Sequence, residues 1–582
     1  MKKRYFNSKT IWLILGISLI FPFVGETQEA TLEEIIVTAT RRSVDISDVP
    51  MSVTAFNQSQ LDKARVVRVD DLFRITPGVQ FKSEGQLTGI SIRGVSSNIG
   101  PGTTGIYLDD TPIQTRAASL SYSSTNTYPE LFDLERVEVL RGPQGTTFGS
   151  GSIGGTVRFL MPKPNLYEQE WYARSGFSFT SSGDPSFEAG VAVGGPISEG
   201  ESGFRLSIYH RRDGGFVDNA HHNDLANSSA FTKSGAINEN ADSRDNTSLR
   251  LAYTYVPNET LEITSAVFYQ NIQSNHDSAF WDYFSDPSDG NFMNAWGVEQ
   301  PFSDKWLIPS LNIKKDLGSF TVISNTSYFD REAINTYDCA HCMIQLTFLG
   351  YIPMGPEMFL PDYPEFAQTT FDLDEQKVFT QEVRLQSNDT DAQFDWIIGA
   401  FYQDSTTTAG DYVGIDSASF DRMAQAIGAV VGYPLPGYLP LFGGVALLDS
   451  EYGPMSYQTY DDTDEQQKAI FLEGTYDVSE NLSATLGVRY TDYDLDTTSL
   501  QGGPFAWVPE LVGFSEKTST SDTSLKLSMT YQVDEDRMFY ATAAEGFRAG
   551  GLNQPLPQIC DASLADIGLT GSPGAWTSDE AW

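Results

Sequence analysis

Positive charge is scarce in this chain. Its 582 residues include 37 Lys plus Arg against 77 Asp plus Glu, a formal net charge of −40. Such a surface repels phosphate backbones and excludes nucleic acid as a partner. It also weighs against a strongly anionic small ligand unless local charge reverses the balance. Histidine is scarcer still: there are five, none at helical His-x-x-x-His spacing, so His221-His222 reads as a solvated loop and not as a metal site. Three cysteines, Cys339, Cys342 and Cys560, exclude a disulfide-rich scaffold. Cys339-Ala-His341-Cys342 is either half of a zinc site lacking its second half or a small disulfide pinning a loop, and the disulfide fits better. Long hydrophobic runs are lacking as well. The run from Ile11 to Ile20, behind Lys2, Lys3, Arg4 and Lys9, is about half of the twenty residues a spanning helix needs. It reads as a secretory signal peptide over 1–27, an anchor helix being the lesser alternative. Membrane insertion, if any, must then be by strands. No nucleophile–base constellation is present, so no catalytic residue, metal or cofactor is expected and the chain does not read as an enzyme.

What the sequence does hold is a glycine-dense stretch, RVEVLRGPQGTTFGSGSIGGTVRFLMPKP, from Arg136 to Pro164. Val137, Val139 and Leu140 read as a strand, Thr156 to Leu160 as another, and six glycines lie between Gly142 and Gly155. Glycine at that density permits sharp turns, positive φ and close backbone approach. Gly149 to Gly154 matches G-x-G-x-x-G, but a dinucleotide site needs a helix next, and β-branched residues follow instead. Upstream, Leu32 to Arg42 contains a short β-prone run, Ile35 to Thr40, flanked by charge. It is either the first strand of the following domain or an extended segment offered to a partner's sheet edge.

From about Glu168 the texture becomes alternation. Leu482, Ala484, Leu486, Val488 and Tyr490 interleave with Ser483, Thr485, Gly487, Arg489 and Thr491; Leu249, Leu251 and Tyr253 do so with Ser248, Arg250 and Ala252. Period-two runs of about ten residues suit a barrel wall with a lipid face and a watery lumen, and Tyr255, Tyr269, Tyr476, Tyr490 and Tyr531 suit its interfacial girdles. Short polar turns at 256–260, 477–481 and 533–536 alternate with long stretches at 212–245, 274–305, 335–375 and 405–463, as periplasmic turns alternate with external loops. Tyr412, Phe420, Tyr433, Tyr438 and Phe442 in the last of these either stack on a ligand or pack their loop.

Together these motifs resemble the TonB-dependent outer-membrane receptor family. The VEVLRGPQG and IGGTV runs, with Gly94, Gly142, Pro143, Gly145, Gly154 and Gly155, resemble its plug signature. Glu33, Glu34, Ile35, Ile36, Val37, Thr38 and Ala39 resemble its TonB box, and Ala544 to Asn553 resembles its GFRPGGLN run. The resemblance implies an α/β plug domain inside an antiparallel transmembrane β-barrel of 22 strands when complete. It divides the chain into a leader (1–27), a periplasmic segment with the box (28–44), a plug (45–165) and a barrel (166–582) that reads as lacking its last strands. It implies that Arg93 and Arg141 latch the plug to Glu382, Glu473 and Glu545, though solvated lumen charges are the open alternative. Asp109-Asp110, where the family more often has Asp-Gly, reads as a turn and not as a catalytic carboxylate pair.

The function implied is active import of a scarce nutrient, driven by the TonB-ExbB-ExbD complex through the box. A ferric siderophore or other iron complex is the leading cargo, and a carbohydrate or other organic nutrient the alternative. A passive porin would lack plug and box, and a secreted adhesin would lack the apolar strand faces. Lipid and lipopolysaccharide would surround a monomer in the outer membrane.

Overall fold

The computed structural model describes residues 36–84, 87–96, 102–114, 126–219, 238–282, 285–294, 296, 299–338, 369–389, 392–414, 448–450, 453–503, 508–534, 537–552, 561–566, 568, 575–576 and 578–581. The leader, Glu33, Glu34, Ile35, the three cysteines, His341, His221, His222, Phe420, Tyr433, Tyr438 and Phe442 lie outside them.

The N-terminal unit is a plug built on one mixed sheet. Its strands are β1 (Ile36–Val37), β2 (Val44–Asp45), β3 (Ser52–Asn57), β4 (Val79–Glu84), β5 (Leu87–Ile92), β6 (Thr104–Leu108), β7 (Thr111–Pro112), β8 (Arg136–Arg141) and β9 (Gly155–Leu160); its helices are α1 (Gln58–Lys63), α2 (Val69–Arg74) and α3 (Gly145–Phe148). The main sheet runs β3-β8-β9-β6-β7, with β6 and β9 parallel. β1 pairs with β2 and β4 with β5 as separate hairpins.

The helical pattern from Ser59 to Phe73 resolves into two helices, and its cap is Asn57, not Ser59. Asn57 and Gln60 form a reciprocal capping box, so both end donors are satisfied two residues earlier than expected. The first helix stops because Arg65 turns left-handed (φ 56°) and Val66 N–H donates back to the Leu61 carbonyl, a Schellman-type ending.

Among the described residues the wall then runs through thirteen strands: β10 (Glu170–Phe179), β11 (Pro185–Ser198), β12 (Ser202–Asp213), β13 (Arg244–Asn258), β14 (Leu261–Ser274), β15 (Phe302–Asp316), β16 (Phe320–Asp338), β17 (Thr369–Ser387), β18 (Phe394–Gly414), β19 (Gly453–Ser479), β20 (Leu482–Gly503), β21 (Val508–Asp534) and β22 (Arg537–Ala544). Each pairs antiparallel with its neighbour in chain order, and Leu448–Ser450 adds a short strand to β19. Among the described residues no helix is long and apolar enough to cross a membrane; strands do the crossing, because they satisfy their backbone groups between themselves.

The alternation has the sign a lipid-facing wall requires. Leu251 and Leu486 are 53% and 62% exposed, whereas Arg250 and Arg489, one residue away from a neighbour on the outward face, are buried. Tyr253, Tyr476, Tyr490 and Tyr531 are outward and exposed; Tyr255 and Tyr269 are half-buried. One part of the lumen is not polar. Phe268 stacks on Trp306 with centroids 4.8 Å apart, and these, with Ile308, Phe329 and Val378, join Leu72, Val137, Val139 and Phe159 of the plug in one core.

The signature loop lies where its glycines are needed. Gly142 N–H donates to the Gly154 carbonyl (2.9 Å) and Gly154 N–H to that of Thr103 (2.9 Å). Gly155 holds φ 151°, and a Cβ there would strike the Leu140 carbonyl oxygen. Gly149 to Gly154 leads directly into β9. On strain grounds Gly155→Ala is expected to destabilise the plug by about 2 kcal/mol. Faster protease nicking within 136–164, with heat-modifiable migration of the barrel retained, is the outcome to look for; equal nicking would count against the strain.

Candidate functional site

The site begins with the last residues of the box. Thr38 follows β1 directly, and Arg41 N–H donates to its carbonyl at 2.9 Å, closing a turn in which Arg41 adopts φ 63°. Val37 and Ala39 are fully buried against Val49, Ala55, Tyr107, Leu140 and Phe148, whereas Ile36 is half exposed. This part of the segment is therefore docked on the plug.

Charge completes the docking. Glu138 on β8 is wholly buried, and its carboxylate accepts from Thr38 N–H at 2.6 Å, Arg136 Nε at 2.8 Å and Arg158 Nη1 at 3.0 Å. Arg158 on β9 also donates to the Thr38 carbonyl (2.8 Å) and hydroxyl (2.7 Å). Its other nitrogen reaches Asp110, in the β6–β7 turn, at 3.3 Å.

Asp110 is the second hub. It accepts from Arg41 Nη1 at 2.6 Å, from Arg384 Nη2 on barrel strand β17 at 3.4 Å, and from Asn325 Nδ2 on β16 at 3.2 Å. Burial pushes the Asp110 carboxyl up, but the guanidiniums of Arg384, Arg41 and Arg158 outweigh it and hold the group well below the usual carboxylate range. Glu382 on β17 pairs with Arg384 and, at 3.6 Å, with Arg41. Arg41 also lies over the Phe148 ring, 4.4 Å from its centroid. Arg42 binds the wall independently: it donates to the Ser387 carbonyl (2.9 Å) and Trp396 carbonyl (2.7 Å) and pairs with Asp395 at 2.8 Å.

The expected latch is corrected by this geometry. Arg141 ends β8 opposite Ser52, so its side chain crosses to β3 and spends its donors within the plug: Nε to Ser52 Oγ, Nη2 to Thr54 Oγ1 and Nη1 to the Pro77 carbonyl. Arg93 is exposed, in the left-handed region (φ 52°), and close enough to Arg141 for its charge, after burial, to depress the Arg141 pKa. The three glutamates have other partners. Glu382 meets Arg41 and Arg384; Glu473 meets Lys526 at 2.9 Å; the Glu545 carboxylate accepts from Leu525 N–H at 3.2 Å. Plug–barrel attachment at Glu545 is by backbone instead: its carbonyl accepts from Gly145 N–H, and that of Phe547 from Gly151 N–H. Glu545 to Phe547, in the described part of the Ala544 to Asn553 run, thus pack on the signature loop.

Sequence reasoning singled out Glu382 and Thr38 but missed Arg41, Arg42, Asp110, Glu138, Arg158 and Arg384. Two signals were available. An Arg-Arg pair directly follows the box, and Asp110 occupies the turn position where the family more often has glycine.

A plug within an antiparallel wall is the architecture that comparison with known proteins also finds. Residues 45–156 match the TonB-dependent receptor plug domain and residues 195–575 the TonB-dependent receptor-like β-barrel. The chain belongs to the TonB-dependent receptor family. Its place is accordingly the outer membrane. The receptor is 32% identical over 215 residues to an iron-regulated outer membrane virulence protein of Vibrio cholerae, covering 35% of this chain and 31% of that one. It is 32% identical over 196 residues to the pesticin receptor of Yersinia pestis, covering 32% and 27%. These matches span about a third of the curated relatives' length. Among solved structures, the ferric yersiniabactin uptake receptor of Yersinia pestis superposes with TM-score 0.66 at 16% identity, over 91% of this chain and 68% of that one. The Pseudomonas aeruginosa ferripyoverdine receptor gives 0.61 at 16%, over 88% and 59%.

The two hubs make a testable unit. Neutralising Asp110 leaves three guanidiniums facing one another, so Asp110→Asn is expected to weaken plug–wall attachment by about 3 kcal/mol, read as increased protease access to the plug in a barrel that still migrates heat-modifiably. Because the folded pKa is depressed, the Asp110 contribution is full above the unfolded value and is lost only as pH falls through the lower folded one. It is expected to hold from neutral pH down to about pH 4; Asp110-dependent loosening already at pH 6 would refute the assignment.

Proposed function

We propose that this receptor binds an iron complex, most simply a ferric siderophore, at its long-loop face and imports it actively into the periplasm. The single observation that carries the mechanism is Thr38. A residue of the box is itself a ligand of the charge network whose other members, Arg41, Asp110 and Arg384, connect plug to wall. Force applied to residues 36–39 by the TonB-ExbB-ExbD complex is delivered straight to the plug–barrel junction. The short turns mark the periplasmic end, and Arg42 sits where β17 ends and β18 begins, through Ser387 and Trp396.

Relatives support iron as cargo: an iron-regulated outer membrane protein, a pesticin receptor and a ferripyoverdine receptor are among the sequence matches. One finding favours a second reading. A vitamin B12 transporter of Vibrio vulnificus is 29% identical over 154 residues, which keeps an organic nutrient as the alternative cargo. Binding and energised displacement of the plug need no covalent chemistry, so the receptor is read as a transporter without catalytic residues.

Deleting residues 35–39 is expected to abolish accumulation of iron-55 from the labelled culture supernatant of iron-starved cells while leaving surface binding unchanged. Loss of binding and uptake together would sink the energised-transport reading, and wild-type uptake that ignores iron status would move the cargo to the organic class.

A further inference from the structure

A cavity of about 700 Å³ lies behind the box, between the plug and strands β13 to β17. Ile36 and Thr38 form part of its wall. Its charge is opposite to that of the chain: eight lysines and arginines line it against three carboxylates, Asp109, Asp110 and Glu135. Most of these cations are matched. Arg41, Arg158 and Arg384 share Asp110, Arg136 meets Glu138, Arg42 meets Asp395 and Lys163 meets Glu262 at 2.7 Å.

Two are not. Arg250, buried on β13, donates to the Pro162 carbonyl and, among the described residues, forms no ion pair within 4.0 Å, the charges of Asp109 and Asp133 acting on it from farther away. Lys314, exposed near the end of β15, has no hydrogen-bond or ion-pair partner among the described residues. In addition, the Nε atoms of Arg41, Arg158 and Arg384 are buried without an acceptor. Surplus donors and surplus positive charge in a partly dry enclosure attract an anion strongly, because the field there is weakly screened.

We infer that this cavity is an exit chamber for an anionic, oxygen-rich iron chelate, opened when the box is drawn away. The inference rests on the import reading above and adds the charge class of the cargo and its route. Withdrawal of Thr38 removes one wall and at the same time frees N–H donors on Arg158 and Arg136. Guanidiniums that clamp the box then become ligands for carboxylate or phenolate oxygens of the passing complex, bidentate pairing being the geometry arginine favours. Lys314 stands at the short-turn end, where the chamber meets the periplasm. No chemical bond is made or broken in this step; acceptors are exchanged.

The probe is inorganic tripolyphosphate labelled with phosphorus-32, measured by equilibrium dialysis against the full chain in detergent at low salt. Wild-type protein is expected to bind it, Arg250→Gln/Lys314→Gln about tenfold more weakly, and the exposed-lysine control Lys468→Gln/Lys517→Gln as tightly as wild type. Equal binding by wild type and the chamber variant, or none by wild type, overturns the proposal. Should loss of Arg250 impair folding, Lys314→Glu alone, at an exposed position, must still weaken binding several-fold. In cells, the chamber variant should slow accumulation of an anionic iron-55 chelate but not of a neutral one, at unchanged surface binding. Failure of wild-type cells to accumulate either chelate, with dialysis as expected, removes the import reading and leaves an anion site. Normal import of both by the chamber variant removes the chamber's role and leaves the import reading standing.

Discussion

Two carboxylates, the buried Glu138 and the half-buried Asp110, govern how the pieces of this receptor can be arranged. Neither can be left alone away from water, since an unpaired buried charge costs several kcal/mol. Glu138 is satisfied only when β8, β9 and the box meet, and Asp110 only when the β6–β7 turn, the post-box arginine and β17 meet. The plug's position in the wall and the box's position on the plug are therefore one problem with one solution. Buried ion pairs of this kind contribute little net stability against an apolar replacement, but they fix register, and register is what a seated plug needs.

The wall makes such a network possible. In a soluble protein, burying Arg158, Arg384 and Arg489 inside while exposing Leu251, Leu486 and Tyr490 would be inverted and unstable. In a bilayer the outward leucines face hydrocarbon, and the inward arginines face a lumen filled by plug rather than water. Filling the lumen has a further effect. Water that would screen the charges is displaced, so pairs worth under about 1 kcal/mol on a surface become strongly directional. The aromatic patch of Phe268, Trp306 and Phe329 gives the plug core an apolar surface to rest on as well, so the junction is not electrostatic throughout.

Much of this was readable from the chain. Alternation such as Leu482 to Thr491 depends only on a strand's period of two and predicts which face meets lipid. Gly155 was readable because few residues tolerate its φ. The latch was not. Assigning Arg93 and Arg141 to distant glutamates required knowing where β8 ends relative to β3, and that is a matter of strand register: Arg141 lies opposite Ser52, close enough to expend its donors locally. Helix boundaries failed for a local reason, the Asn57 cap preceding the Ser59 that the pattern suggested. Asp110 failed because a turn aspartate looks the same whether it faces solvent or three arginines.

The redundancy of the network suggests how a strongly held plug can still be released. When the box leaves, Glu138 loses the Thr38 amide but keeps Arg136 and Arg158, and Asp110 loses Arg41 but keeps Arg158 and Arg384. Neither Glu138 nor Asp110 is left without a cation at any stage. The large penalty for exposing a naked buried charge is thereby avoided, and what force must overcome is the loss of individual hydrogen bonds and of the Val37 and Ala39 contacts, one after another. A latch in which each carboxylate had a single cation, by contrast, would have to break in one costly step. Sharing anions among several arginines, some on the moving segment and some on fixed strands, divides the barrier into portions that a pull on residues 36–39 can cross in sequence.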